Sequence, residues 1–202
     1  YGKNIALYFL SFKQRTKKEV LDYLKKYKIK EANAVKIITA LQEERWIDDK
    51  SYVETYVRQN GLNGDKGPAL IRQKLITKGV SKSVIDSCLV EVDFSNLIEK
   101  VAEKMLRKYQ DKLPIRALQD KIVQGLMNKG FTYDLARKTV GQLDISADDN
   151  MEADLISKEL EKLYRKYSRK YDGYELKQRL IHALARKGFE FDQIQAVLRN
   201  YL

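Results

Sequence analysis

The chain has 202 residues, with 39 Lys and Arg against 28 Asp and Glu, for a formal net charge of +11. Such an excess points to a polyanionic partner: nucleic acid above all, otherwise a membrane surface or an acidic protein face. A single cysteine, Cys88, excludes an intrachain disulfide, no apolar run approaches the roughly 18 residues of a membrane helix, and no signal-peptide pattern opens the sequence.

The first residue is Tyr1 rather than Met, and Asn4 to Leu10 reads as a helix already under way, so a segment is expected upstream. That first helix runs to about Phe12. Thr16 with Glu19 three residues on forms a capping box that opens a second helix, whose inner face is Val20, Leu21 and Leu24. Ala34, Ile38 and Leu41 mark a third helix at a 3.6-residue period, closed by Trp46-Ile47. Asp48-Asp49 cap the next helix, which buries Tyr52, Val53, Tyr56 and Val57 and is expected to stop within the glycine-rich stretch from Gly61 to Gly67-Pro68. Pro68 suits the first position of a helix running to about Thr77, with Leu70, Ile71 and Leu75 inward. Lys78-Gly79 ends it through a left-handed cap, and Ser81 opens a third helix on which Cys88 sits with Ile85 and Leu89, a core thiol in a reducing compartment.

A longer helix begins near Phe94 and ends between Tyr109 and Pro114; the one after it ends at Lys129-Gly130-Phe131, and Thr132 caps another to about Leu143. Asp144 to Asp154, with Asp148, Asp149 and Glu152, reads as an acidic linker running into a helix N-terminus; it lacks the glycine and ligand spacing of an EF-hand. The last segment passes Tyr174 to Lys187-Gly188-Phe189 and closes on Ile194, Val197, Leu198, Tyr201 and Leu202. Nothing alternates with period two, so no sheet is expected.

These elements repeat. Leu24, Leu75, Leu126 and Leu184 are equivalent anchors, 51, 51 and 58 residues apart. Four residues after the last three come Gly79, Gly130 and Gly188, with Lys28 in the corresponding place of the first; Val20, Ile71, Ile122 and Leu180 precede the anchors by four. The expected architecture is all-α, an elongated tandem array of about four three-helix modules at residues 1–45, 46–92, 93–145 and 146–202.

No catalytic constellation emerges. Cys88 lies on an apolar face, His182 is the single histidine, the Gly61 to Gly67 loop lacks the phosphate-loop pattern, and Glu43-Glu44 and Asp48-Asp49 stand at helix ends. The chain reads as a non-enzyme without cofactor or metal. Basic residues carry more. Lys158, Lys162, Arg165 or Lys166, and Arg169 form a positive stripe expected along one helix, beside Tyr164, Tyr167, Tyr171 and Tyr174, which are assigned mainly to packing. Ten Lys or Arg between Lys158 and Lys187 face only Glu159, Glu161, Asp172 and Glu175, an imbalance beyond what solubility requires.

The stretch Trp46-Ile-Asp-Asp-Lys-Ser-Tyr52, followed by Gly67-Pro68, Ile71-Arg72-Gln73-Lys74-Leu75 and Lys78-Gly79-Val80, resembles the central signature of the RecX regulatory family. Tyr8-Phe-Leu-Ser11, Arg15-Thr16 and Glu19-Val20 resemble that family's opening repeat, and Arg107-Lys108-Tyr109 its third. The chain departs in having Lys66 before Gly67-Pro68 and four repeats where many members have three. The resemblance implies a cytoplasmic, monomeric modulator that binds RecA filaments on single- or double-stranded DNA and restrains strand exchange, ATPase and coprotease activity, without a membrane. Electrostatic attachment is assigned to Arg58, Lys66, Arg72, Lys74 and Lys78, and to Lys158, Lys162, Arg165, Lys166, Arg169 and Lys170. The alternatives are a stand-alone DNA-binding helical repeat and a scaffold joining two proteins.

Overall fold

The computed structural model describes residues 1–145 and 149–201, so the expectations placed on Asp148 and Leu202 lie outside the described residues. Twelve helices make up the described chain, and no strand is found among those residues: α1 (Gly2–Phe12), α2 (Lys17–Lys26), α3 (Glu31–Glu43), α4 (Asp49–Asn63), α5 (Pro68–Thr77), α6 (Lys82–Leu89), α7 (Ser95–Tyr109), α8 (Ile115–Asn128), α9 (Tyr133–Gln142), α10 (Asp149–Tyr167), α11 (Gly173–Arg186) and α12 (Phe191–Tyr201). The protein is all-α.

Internal contacts divide it into two compact units. The first holds residues 1–98 together with the turn Lys129–Phe131; the second holds Glu99–Asn128 and Thr132–Leu202.

In the first unit, α1, α2 and α3 enclose Ala6, Leu10, Val20, Leu24, Ile38 and Leu41, closed by Ile47. Next, α4, α5 and α6 enclose Val53, Val57, Ile71, Leu75, Val80, Ile85 and Cys88, which is buried as expected. In the second unit, α10, α11 and α12 enclose Ile156, Leu160, Leu180, Leu184, Phe189, Ile194 and Leu198, while α8 and α9 bury Leu118, Ile122, Leu126, Ala136 and Val140. All four anchor leucines and the four residues preceding them are fully buried. Each such side chain is worth about 1.5–3 kcal/mol relative to exposure, which is why the apolar period survives in the sequence.

The caps follow the sequence closely. Thr16 and Glu19 form the reciprocal capping box, and Asp48, Ser81 and Thr132 accept from the third residue of their helices. After the anchors, Ile29, Val80 and Phe189 donate their N–H to the carbonyls of Leu24, Leu75 and Leu184. That i to i+5 bond is a Schellman closure, and it puts Gly79 and Gly188 at φ of +83° and +95°; Gly130 is left-handed too, at +92°. Lys28 takes the same left-handed place at +58°.

The helix of the second repeat stops inside the expected bend, at Asn63, because the Asn60 side chain bonds the N–H and carbonyl of Lys66 and turns the chain only after Gly64. The acidic stretch passes from linker into helix as expected, with α10 beginning at Asp149 and carrying Glu152 and Asp154. One expectation changes. Arg169 cannot continue a stripe down one helix, because α10 ends at Tyr167 and residues 168–170 form a turn leading to Asp172, the N-cap of α11.

Candidate nucleic-acid interface

The second helix of each repeat meets the repeat before it through its own C-terminal turn. Within the first unit, Gly67 N–H donates to the Lys129 carbonyl at 2.7 Å and Ala69 N–H to the Gly130 carbonyl at 3.2 Å, so the turn Lys129–Phe131 presents carbonyls to the free amides that open α5. The backbones come too close for side chains: a Cβ on Gly67 would lie 2.7 Å from the Gly130 carbonyl carbon, and one on Gly130 would lie 2.6 Å from the Leu70 nitrogen. The Lys129 ammonium bonds Asp65 across the same junction. At the other end of α5, the Lys78 carbonyl accepts from the Thr16 hydroxyl, and the Lys78 ammonium donates to the Glu19 carboxylate at 2.7 Å. In the second unit the turn at Gly188 lies against Ala117 in the first turn of α8. Within each unit, then, a turn that closes one helix faces the opening turn of another.

This arrangement decides which of the expected cations are available. Lys78 is committed to the fold: it bonds Glu19 and lies 5.9 Å from the Tyr52 ring centroid. Half-burial pushes the Glu19 carboxyl up, but Lys78, the Thr16 N–H and Arg15 together outweigh it and hold it below its ordinary range; Glu19 in turn raises Lys78. Arg72 makes a two-pronged bond to Asp86, at 2.7 and 2.9 Å, which holds that carboxyl down. Lys66 is half-buried in the bend pinned by Asn60. Arg58 on α4 and Lys74 on α5 are exposed and make no ion pair among the described residues. Arg58 also borders an open cleft of about 750 Å³ between α4 and α6, floored by Val57, Cys88 and Val92.

The second unit gathers its cations around one carboxylate. Glu159 receives Lys162 at 3.0 Å and Lys187 at 2.9 Å, and these two lysines hold its carboxyl below the ordinary range. With Lys158 and Lys112 they line a cleft of about 370 Å³, in which four lysines are offset by Glu159 and Asp111. Arg165 is loosely paired with Glu161 at 3.7 Å, and Lys166 lies over the Tyr167 ring. Arg169 and Lys170 are exposed in the following turn. Tyr164, Tyr167 and Tyr171 pack partly buried on the core of α10, α11 and α12, as expected for packing residues; Tyr174 is exposed.

Two groups of residues were not anticipated as a site. Lys112 and Lys187 join Lys158 and Lys162 only in three dimensions. An aromatic cluster on α1 and α2 stands among closely spaced lysines that the spacing between Lys13 and Lys30 already displays. His182 is exposed, and no group of His, Cys, Asp or Glu able to hold a metal occurs among the described residues. No helix among them is long and apolar enough to cross a membrane.

Three-helix repeats that carry exposed cations without ion pairs among the described residues define a helical-repeat protein. Residues 48–89 match the RecX second three-helix domain, and residues 91–140 and 151–198 each match the third. The chain is 56% identical over 202 residues to "Regulatory protein RecX" of Streptococcus pyogenes serotype M5 (strain Manfredo), covering 100% of this chain and 78% of the relative. It is 54% identical over the same span to that of Streptococcus pneumoniae (strain Hungary19A-6). The crystal structure of RecX from Lactobacillus salivarius is 35% identical, covers 72% of this chain and 96% of its own, and superposes with a TM-score of 0.67. The chain belongs to the RecX family of regulatory proteins.

Proposed function

We propose that this protein is a non-catalytic, cytoplasmic, monomeric modulator that binds RecA filaments on DNA and restrains their strand exchange, ATPase and coprotease activity, acting through four modules at residues 1–45, 46–92, 93–145 and 146–202. Family membership across the whole chain carries the reading. Supporting it are exposed cations without carboxylate partners among the described residues, Arg58, Lys74, Lys158, Arg169 and Lys170, joined by Lys166 over the Tyr167 ring and by Lys162 and Arg165, whose pairs are exposed and weak. Arg72, Lys78 and Lys66 contribute less directly, as residues that hold the surface in shape. Several weak contacts on one chain give avidity beyond any single one.

The test is the rate of RecA ATP hydrolysis on single-stranded DNA with the protein titrated in, beside fluorescence anisotropy on the same DNA without RecA. Inhibition well below the concentration that binds bare DNA supports the filament as target. Inhibition only where bare DNA is already coated replaces it with a stand-alone DNA-binding repeat.

A further inference from the structure

The face shared by α1 and α2 carries five aromatic side chains within residues 8–27. Phe9 and Tyr23 stack face to face, centroids 3.9 Å apart with 5° between planes, and Tyr23 leans on Tyr27 at 5.0 Å with their hydroxyls 3.3 Å apart. Tyr8 and Phe12 meet edge-on at 5.0 Å. Tyr8 and Phe9 are consecutive on α1, so both groups of rings start from the same turn of that helix. The Arg15 guanidinium lies 4.1 Å from the Phe9 centroid, and its Nε, closed to solvent, has no acceptor; stacking rather than a carboxylate holds it.

Burial divides these rings by role. Phe9 packs against the core of α1, α2 and α3. Tyr8, Phe12 and Tyr27 are 63%, 67% and 48% exposed, so core packing does not explain them. In the same stretch of sequence, residues 13–30 hold eight Lys or Arg against Glu19 and Asp22. Glu19 is already engaged by Lys78, while among the cations Lys25 pairs with Glu31 at 3.7 Å, Lys18 lies against Gly79 and Arg15 is stacked on Phe9.

We infer that the α1–α2 face is a binding site for single-stranded nucleic acid, with unstacked bases laid on Tyr8, Phe12 and Tyr27 and phosphates met by the flanking lysines. A π-face accepts any base, whereas a duplex keeps its base faces inside the stack, so the site selects strand form rather than sequence. The charge fits this occupant: exposed rings alone would suit an apolar protein surface, but the excess of cations over carboxylates in residues 13–30 matches a polyanion. The inference shares the polyanion with the proposed function but does not require the RecA filament.

The experiment is anisotropy of labelled oligo-dT and of a duplex of equal length, with no RecA present, for the wild type and for Tyr8→Ala/Phe12→Ala, Tyr8→Phe and Phe12→Leu. Stacking predicts that the double variant loses about tenfold or more in affinity for the single strand while duplex affinity stays within about twofold. Tyr8→Phe should bind as wild type, and Phe12→Leu, which keeps an apolar side chain without a π-face, should weaken the single strand alone. Unchanged single-strand affinity in the double variant overturns the site, as does an equal loss for both strand forms. Wild-type affinity in Phe12→Leu together with loss in the alanine variant also overturns it, by assigning the patch to apolar docking. Because RecA is absent from these measurements, failure of ATPase inhibition leaves their outcome untouched.

Discussion

Thr16 Oγ1 donates to the carbonyl oxygen of Lys78 at 2.7 Å, joining residues 62 apart in the chain. The same hydroxyl accepts from Glu19 N–H, Glu19 returns a bond to Thr16 N–H, and the other Glu19 oxygen receives the Lys78 ammonium. One fully buried threonine therefore caps α2 and ties the end of α5 to it. Two helices that could each cap themselves alone are made into one unit because their terminal donors and acceptors answer each other.

Gly130 is expected to be intolerant of any side chain. Gly130→Ala combines a left-handed backbone at φ +92° with a Cβ 2.6 Å from the Leu70 nitrogen, which is backbone and cannot swing aside. Left-handed strain of about 1 kcal/mol or more and the displaced junction together should cost about 2–4 kcal/mol, read as a lower denaturant midpoint. Lys28→Gly, at the equivalent left-handed position, should instead gain up to about 1 kcal/mol. Equal effects of the two substitutions would remove the junction from the explanation.

The Glu19–Lys78 pair sets a pH dependence. The Glu19 carboxyl is lower in the folded chain than its ordinary 4.5. Its contribution is thus fully present above that value and disappears as pH falls through the folded value. Raising of Lys78 preserves the pair until pH climbs through the lysine's own folded value. Glu19→Gln should lower stability by about 1 kcal/mol at neutral pH, modest because the lysine is partly exposed, with the difference shrinking below pH of about 4. Asp49 runs the other way: burial raises its carboxyl despite the Lys17 N–H it accepts at 2.8 Å, so its protonation favours the folded chain as pH falls. Thermal unfolding of both proteins across that range checks the sign.

The repeat was legible because burial is periodic: Leu24, Leu75, Leu126 and Leu184 are fully buried, and their lysine-glycine turns follow from backbone geometry local to a few residues. Caps such as Thr16 and Asp48 were legible for the same reason. What stayed hidden depends on partners distant in sequence. Arg72 and Lys78 look like surface cations in a row of basic residues, and only the fold brings Asp86 and Glu19 to them. Glu152 looks like one more linker acid until α8 and α12 close around it. Arg169 was misplaced because a 3.6-residue period was continued past Tyr167, where the chain leaves the helix.

Glu152 should behave as a core residue. It is 8% exposed, accepts the Ile115 N–H at 3.1 Å at the start of α8, and receives the Gln193 side-chain amide from α12. Glu152→Ala leaves a helix-opening N–H and a glutamine amide without their acceptor, which should cost about 1–3 kcal/mol. Asp154→Ala, two residues away and exposed, should lie within about 0.5 kcal/mol of wild type. Urea midpoints compare them, and equal midpoints would return Glu152 to the solvated acids.

The last prediction separates attachment from support within α5. Lys74 is exposed and makes no ion pair among the described residues, so Lys74→Glu should leave the unfolding midpoint near wild type while weakening filament inhibition several-fold and flattening the salt dependence of DNA binding by about one charge contact. Arg72→Glu does something different. It replaces the guanidinium that grips Asp86 with a second carboxylate facing it, so it should weaken the α5–α6 packing as well as binding, and the loss should be partly recovered by Asp86→Arg in the same chain. Lys74→Glu with wild-type inhibition and wild-type salt slope would take α5 out of the attachment surface and leave the lysines around Glu159 to carry it.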